Sequence, residues 1–363
     1  MATPVQPSLV SASRPPRARV PCAMDAPSFR SVFLHRDLLE SREMRDYTCA
    51  RAYIDKDFCA HDNFTALGSL YFLHKSIQGV SQFDFEAQEY KAVFGKEVHS
   101  ARLESHSMVE KEKFAQDFWP EFKWSRKGYI WTRWKLQNRV FDLVNIHLFH
   151  DASNLVAWKS PSTFPGNRRK ALGYVLNRIT DARYKREPFF IFGDFNVRLD
   201  TQRVVESLCS AASVETVLNA DTEDLKKVIF QETENDHKVL LRIESKTFDY
   251  FDQGVFRHNN GKALLEFDKE LTMFFNQICE LDIEFPPSYP YSEVNTEGTQ
   301  YANTRCPAWC DRILMSPCAK EIVAKGEYVY DLVGPSVCMG DHKPVYLSFR
   351  ISDRLEMEAS VAT

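Results

Sequence analysis

The sequence predicts a single α/β domain. Two observations carry that reading. Strand-like and helical patterns interleave from about residue 29 to about residue 350, and no linker or internal repeat divides them. A length of 363 residues would split in two on a prior of roughly 150 residues per domain, but one large domain also accommodates it. Hydrophobic residues make up 44% and charged residues 26%, an ordinary globular composition with enough apolar material for a sizeable core. Forty-six Lys and Arg stand against 50 Asp and Glu, a net charge of -4, which argues against a general nucleic-acid binder. A local basic pocket for an anionic substrate stays compatible with that balance. No apolar run approaches the roughly 18 residues that cross a bilayer, and no N-terminal stretch has the layout of a secretory signal. The nine cysteines are scattered and therefore read as reduced intracellular thiols. Cys306 and Cys310 are spaced C-x3-C, but no second ligand pair completes a zinc site.

In chain order, residues 1–28 form a divergent segment whose first 24 positions are rich in Pro, Ser and Ala and read as disordered. A mitochondrial transit peptide would share the arginines and the lack of acids, but Pro15 and Pro16 spoil an amphipathic helix there. Residues 29–351 form the domain and 352–363 a tail. Residues 36–54 read as helical, 64–73 as a strand interrupted by Gly68, and 129–135 and 140–149 as two further strands. In the second of these, Leu143, Asn145, His147 and Phe149 share one face and Val144, Ile146 and Leu148 the other, so the strand is expected to be buried on both sides. Residues 168–183 read as a helix with an apolar stripe of Leu172, Val175, Leu176 and Ile179. A short apolar run, Pro188–Phe192, stops at Gly193-Asp194, and helical pattern returns around 203–230 and 263–280. Residues 285–306 read as a loop, 313–315 as a short strand, and Val345, Leu347 and Phe349 mark the last strand.

Four segments place reactive side chains at or within apolar strands. In Phe190-Ile191-Phe192-Gly193-Asp194-Phe195-Asn196, a carboxylate and an amide follow a buried strand. Asp194 there suits deprotonation of a water or a metal, while a Gly-Asp-x-Asn turn would use both side chains only to cap the backbone. In Gly340-Asp341-His342-Lys343-Pro344, a carboxylate adjoins an imidazole with a lysine alongside; the alternative is a polar loop before an edge strand. Asn145-Ile146-His147-Leu148 puts a histidine on a buried strand, where it is either a core residue or a ligand. His147 and His150 point to opposite faces of such a strand and are not expected to share a metal. In Arg305-Cys306-Pro307-Ala308-Trp309-Cys310-Asp311-Arg312, the arginines suit bidentate phosphate binding; the alternative is a structural turn with Asp311 and Arg312 in ion pairs.

Taken together, N-x-H-L, G-D-F-N, P-A-W-C-D-R-I-L and D-H-K-P-V, in that order, resemble the inositol polyphosphate 5-phosphatases, Mg2+-dependent phosphoesterases of the DNase I-like superfamily. Residues 145–155 (NIHLFHDASNL), 124–128 (WSRKG) and 285–292 (FPPSYPYS) are similar to the type I branch, which acts on soluble inositol phosphates. The fold this implies is a DNase I-like two-sheet sandwich flanked by helices, with the first strands missing. The implied activity is Mg2+-dependent removal of the 5-phosphate of inositol 1,4,5-trisphosphate and inositol 1,3,4,5-tetrakisphosphate, which would end a calcium-release signal. The resemblance assigns Asp194 to orienting and deprotonating the attacking water and Asn196 to holding water and phosphate. It assigns His342 and His147 to contacting the scissile phosphate, with Asp341 orienting His342. Lys127, Arg305, Arg312, Lys343 and Asn145 become candidates for the substrate. Tyr289 is followed by Pro290, where lipid-cleaving relatives carry Lys, which favours the soluble substrate over a phosphatidylinositol phosphate.

The resemblance also has departures. The family's Thr-x-Asn strand and its Gln-Glu pair, whose Glu is the main Mg2+ ligand, have no counterpart, so the metal ligands stay unassigned. Without them, a catalytically impaired inositol phosphate binder is the alternative expectation. The last residues, Ser360-Val361-Ala362-Thr363, lack the C-a-a-X cysteine of the type I branch, so a cytoplasmic chain without a lipid anchor is expected. No nucleic-acid partner and no transmembrane segment are expected.

Overall fold

β-branched and aromatic residues concentrate in 129–134, 140–146 and 189–192, and the centre of the molecule forms there. The structure, a computed structural model, describes residues 8–10, 41–120, 125–158, 162–233 and 237–351. Its strands are β1 (Ser8–Val10), β2 (Cys49–Ile54), β3 (Gly68–Leu73), β4 (Val80–Asp84), β5 (Glu89–Ala92), β6 (Lys96–His99), β7 (Glu110–Lys113), β8 (Gly128–Leu136), β9 (Arg139–His147), β10 (Phe189–Asp194), β11 (Ala212–Leu218), β12 (Leu225–Glu232), β13 (Val239–Glu244), β14 (Thr247–Tyr250), β15 (Asp311–Met315), β16 (Tyr328–Leu332) and β17 (Val345–Phe349). Its α-helices are α1 (Asn154–Trp158), α2 (Phe164–Thr180), α3 (Thr201–Leu208) and α4 (Pro317–Ala324).

The central sheet runs β15-β10-β9-β8-β4-β5, with β7 also pairing with β8. Parallel pairing of β9 with β10 sets His147 beside Asp194, and antiparallel pairing of β10 with β15 sets Asp194 beside Asp311. Alternation then gives the sheet two apolar faces. On the outer face, Tyr129, Trp131, Val144, Ile146, Ile191 and Leu314 pack with the α2 stripe of Leu172, Val175, Leu176 and Ile179. Each such residue stabilises the packing by roughly 1.5–3 kcal/mol when fully buried. On the inner face, Ile130, Leu143, Phe190, Phe192, Ile313 and Met315 share a core with Tyr53 and Tyr71 of β2 and β3 and with Leu332, Val345, Leu347 and Phe349 of β16 and β17. The second layer is thus two three-stranded sheets, β3-β2-β6 and β1-β17-β16. This is a helix-flanked α/β sandwich. Of the N-terminal segment read as disordered, Ser8–Val10 is described, as the antiparallel partner of β17; the rest lies outside the described residues, as does the tail after residue 351.

Three helical readings are corrected. Residues 49–54 of the 36–54 stretch form β2, whose positions 50–54, Arg51 included, are all buried, so no alternation distinguishes strand from helix. Within 203–230, only Thr201–Leu208 is helical; β11 and β12 follow and build an antiparallel meander with β13 and β14, which packs through Phe230 on Trp158 of α1. Over 263–280 the backbone makes short 3₁₀ turns, preceded by left-handed Asn259, Asn260 and Gly261. Among the described residues, no helix is long and apolar enough to cross a membrane.

Candidate active site

Adjacent strand ends on the inner face bring His147, Asp194 and Asp311 together, and the loop before β17 adds His342. The turn at the end of β10 depends on Gly193. Its φ is +138°, and a Cβ there would lie 2.1 Å from the Ile146 carbonyl oxygen. Asp194 therefore follows a residue that only glycine fills. Its carboxylate accepts from the Asn196 backbone N–H at 2.8 Å and from the Asn196 side-chain amide at 2.9 Å. The capping turn and the reactive carboxylate, alternatives in the sequence, coexist in one structure. His147 Nε2 lies 3.2 Å from Asp194 Oδ2 and is also met by the Lys127 ammonium.

Asp311 forms the second arm. Its Oδ2 lies 2.7 Å from His342 Nδ1 and accepts from the Ser288 hydroxyl at 2.9 Å. Its Oδ1 is buried and has no hydrogen-bond partner among the described residues. One ligand atom each of Asp194, Asp311 and His342 falls within 4.8 Å of the others. Burial works to raise Asp194, but His342, His147 and Lys127 outweigh it and hold the carboxyl well below its ordinary range. Burial works to lower His342, but Asp311 and Asp194 overcome it and raise the imidazole to about 8. Burial raises Asp311, helped by the Asp194 charge. An ionised carboxylate beside two imidazoles and an ammonium can take a proton from water while cationic groups face an anion.

Several expected roles change. Asp311, not Asp341, holds His342 Nδ1; Asp341 adds only nearby negative charge. Arg312 follows Asp311 and so points to the opposite face of β15, where Glu280 takes it at 2.8 and 2.5 Å and Asp268 at 2.8 Å. Its charge is neutralised by protein, leaving none for a phosphate. Lys343 is fully buried, and its ammonium donates to the carbonyls of Gly334 and Val337. The Asn145 amide donates to Gly68 O at 3.0 Å and Ser69 Oγ at 3.2 Å, tying β9 to β3. Asn196 is buried and its amide donates to Leu148 O and Asp194, so it braces the carboxylate instead of reaching substrate. Among the described residues Arg305 donates to the carbonyls Thr304 O at 2.7 Å and Asp151 O at 3.4 Å, with no carboxylate taking its guanidinium. His150 packs its ring against Trp119 at 5.6 Å, apart from the His147–Asp194 contact. A cavity of about 140 Å³, lined by Asp62, Lys113, Gln116, Trp119, Ser125 and Phe149 among others, includes neither Asp194 nor Asp311. Residue 124 of the 124–128 motif lies outside the described residues.

Sequence reasoning missed Arg198. Its guanidinium donates to Asn196 Oδ1 at 3.1 Å and to Cys310 Sγ at 2.9 Å, and lies 4.5 Å from the Tyr289 ring centroid. The signal available was an arginine two residues beyond Asn196 in a segment otherwise apolar.

The profile of Endonuclease/Exonuclease/phosphatase family 2 matches residues 255–348. Inositol polyphosphate-5-phosphatase A of Rattus norvegicus is 60% identical over 323 residues, covering 87% of this chain and 78% of its own. A probable type I inositol 1,4,5-trisphosphate 5-phosphatase of Caenorhabditis elegans is 38% identical over 346 residues, covering 86% of this chain and 84% of its own. Among solved structures, the inositol polyphosphate 5-phosphatase domain of SPsynaptojanin, in complex with inositol (1,4)-bisphosphate and calcium ion, is 15% identical, with a TM-score of 0.43 over 78% of this chain and 60% of that one.

Proposed function

The chain belongs to the inositol polyphosphate 5-phosphatase family, a family of phosphoric monoester hydrolases, and we propose that it removes the 5-phosphate of soluble inositol polyphosphates such as inositol 1,4,5-trisphosphate with Mg2+ as its metal. The observation that carries the reading is the pairing of two strand-end carboxylates with two imidazoles, Asp194 with His147 and Asp311 with His342, on one face of the sheet. Asp194, held ionised, takes the proton of the attacking water. His342, held as imidazolium by Asp311, donates to an oxygen of the phosphoryl group as charge develops there. Lys127 and Arg305 supply positive charge for a polyanionic ring.

The donor set fits a hard divalent cation. Mg2+ is usually held by one or two carboxylates, with water and substrate phosphates completing its shell. Asp194 and Asp311 would hold it, the buried Asp311 Oδ1 having no hydrogen-bond partner among the described residues. When bound, such a cation neutralises charge on the phosphoryl oxygens. The pairing of Tyr289 with Pro290 supports a soluble substrate over a lipid, and a cytoplasmic location accords with that substrate.

The test is phosphate release from inositol 1,4,5-trisphosphate with Mg2+, with the product identified. Release of inositol 1,4-bisphosphate, lowered about 100-fold or more in Asp194→Ala, is the expected result. A folded chain that binds the trisphosphate without releasing phosphate would be the impaired binder instead.

A further inference from the structure

We propose that Arg198 is a positioning residue that fixes the Asn196 amide and thereby the Asp194 carboxylate. The inference rests on the hydrolase reading of the same site. An asparagine amide presents an acceptor on one side and a donor on the other, and a half-turn about its last bond exchanges them. Here the choice is forced. Arg198 carries only donors, and one of them meets Asn196 Oδ1 at 3.1 Å. The amide nitrogen must then face Leu148 O at 3.0 Å and Asp194 Oδ2 at 2.9 Å, both acceptors. Reversed, it would set a carbonyl oxygen against an ionised carboxylate.

Arg198 is itself held from several sides. It is buried, at 7% exposure, and its other terminal nitrogen donates to Cys310 Sγ at 2.9 Å. The Cys310 thiol in turn donates to Val197 O at 3.4 Å, so the sulfur is an uncharged thiol whose lone pair receives the guanidinium. The Arg198 backbone N–H donates to Glu270 at 3.1 Å. Its guanidinium stacks on Tyr289 at 4.5 Å, and the Tyr289 ring in turn lies 4.4 Å from the His342 ring. One buried cation thus touches both arms, the Asp194–Asn196 arm by hydrogen bond and the Asp311–His342 arm through an aromatic ring. Its Nε has no partner among the described residues, so burying it is justified by the other contacts.

The experiment compares Arg198→Met, Arg198→Lys, Asn196→Ala and the double variant Arg198→Met with Asn196→Ala. Arg198→Met is expected to lower kcat about 100-fold with KM within threefold of wild type, the scale of a misplaced reacting group. In the Asn196→Ala background the same change is expected to cost less than threefold more, because its effect passes through that amide. Arg198→Lys, which keeps a cation and a donor, is expected to recover at least tenfold of the loss. The readout independent of activity is the Asn196 side-chain amide in 15N NMR. Its two protons are expected to be protected from exchange and shifted from random-coil positions in wild type and Arg198→Lys, and to lose both features in Arg198→Met. Should the wild type release no phosphate, the functional reading fails, and the amide signals still decide the positioning role. An additive double variant, or an unchanged Asn196 amide in folded Arg198→Met, would overturn the proposal.

Discussion

Replacing Asp311 by Asn removes one charge and little else. Asparagine keeps the shape, and its amide can still meet Ser288, which bonds Asp311 at 2.9 and 3.1 Å. What disappears is the anion 2.7 Å from His342 Nδ1. In the wild type, burial alone would lower His342; Asp311 leads the groups that reverse this and bring it from 6.5 to about 8. That rise corresponds to about 2 kcal/mol in favour of the imidazolium. The stabilisation is complete below pH 6.5 and is lost as pH rises through about 8, because the folded state then gives up a proton that the unfolded state has already released. In Asp311→Asn, burial is opposed mainly by Asp194, so His342 is expected to titrate below about 6.5. The assay is NMR titration of the His342 ring in cation-free protein, paired with urea unfolding from pH 6 to 9. Wild type is expected to lose about 2 kcal/mol of His342-dependent stability across that range, read as the difference from His342→Ala. The variant is expected to lose almost none. A His342 that titrates at the same pH in wild type and Asp311→Asn would refute the reasoning, since Asp341 or another group would then be holding the proton.

Gly193→Ala is expected to destabilise the fold by about 3 kcal/mol or more in urea unfolding, from a Cβ 2.1 Å from Ile146 O on top of a left-handed φ; a change under about 0.5 kcal/mol would show that the strand end yields easily. Arg312→Met is expected to cost about 3–5 kcal/mol by stranding Glu280 and Asp268, with KM for the trisphosphate unchanged; a raised KM at full stability would return Arg312 to the substrate. Asn145→Ala is expected to cost about 1–3 kcal/mol through the lost tie to Gly68 and Ser69 while leaving kcat within fivefold, measured by unfolding and phosphate release together. Mg2+ without substrate is expected to raise the Tm of the wild type, and to do so much less in Asp311→Ala; equal shifts would place the cation elsewhere.

The readable parts of the fold were those whose pattern is decided locally. β8, β9, β10, β15 and β17 are apolar runs flanked by Gly, Pro or charged residues, and the α2 stripe recurs at helical spacing. The helical reading of 203–230 fails over β11 because β11 is largely exposed and carries no buried alternation; its β-branched content, in Ser213-Val214-Glu215-Thr216-Val217, is the stronger signal. Likewise His258-Asn259-Asn260-Gly261 spells a left-handed turn, and the helical reading of the residues after it gave apolar spacing too much weight.

The site shows a sharper limit, at two adjacent residues. Asp311 and Arg312 invite a reading as an ion-paired turn, with Arg312 otherwise a phosphate binder. Once they lie on a strand their side chains must part, and each finds its ion-pair partner on a different face. Arg312 enters the outer layer and is neutralised by Glu280 and Asp268. Asp311 enters the inner face, where register with β10 sets it beside Asp194 and the loop before β17 delivers His342. Period two was available from the sequence; the register was not. Register is fixed by partners far away in the chain, Asp194 with Asp311 and Asp194 with His147 across two different strand pairs. Adjacency in sequence therefore misassigned the carboxylate that orients His342. Asp341 is next to it in the chain, but Asp311, 31 residues earlier, is next to it in space.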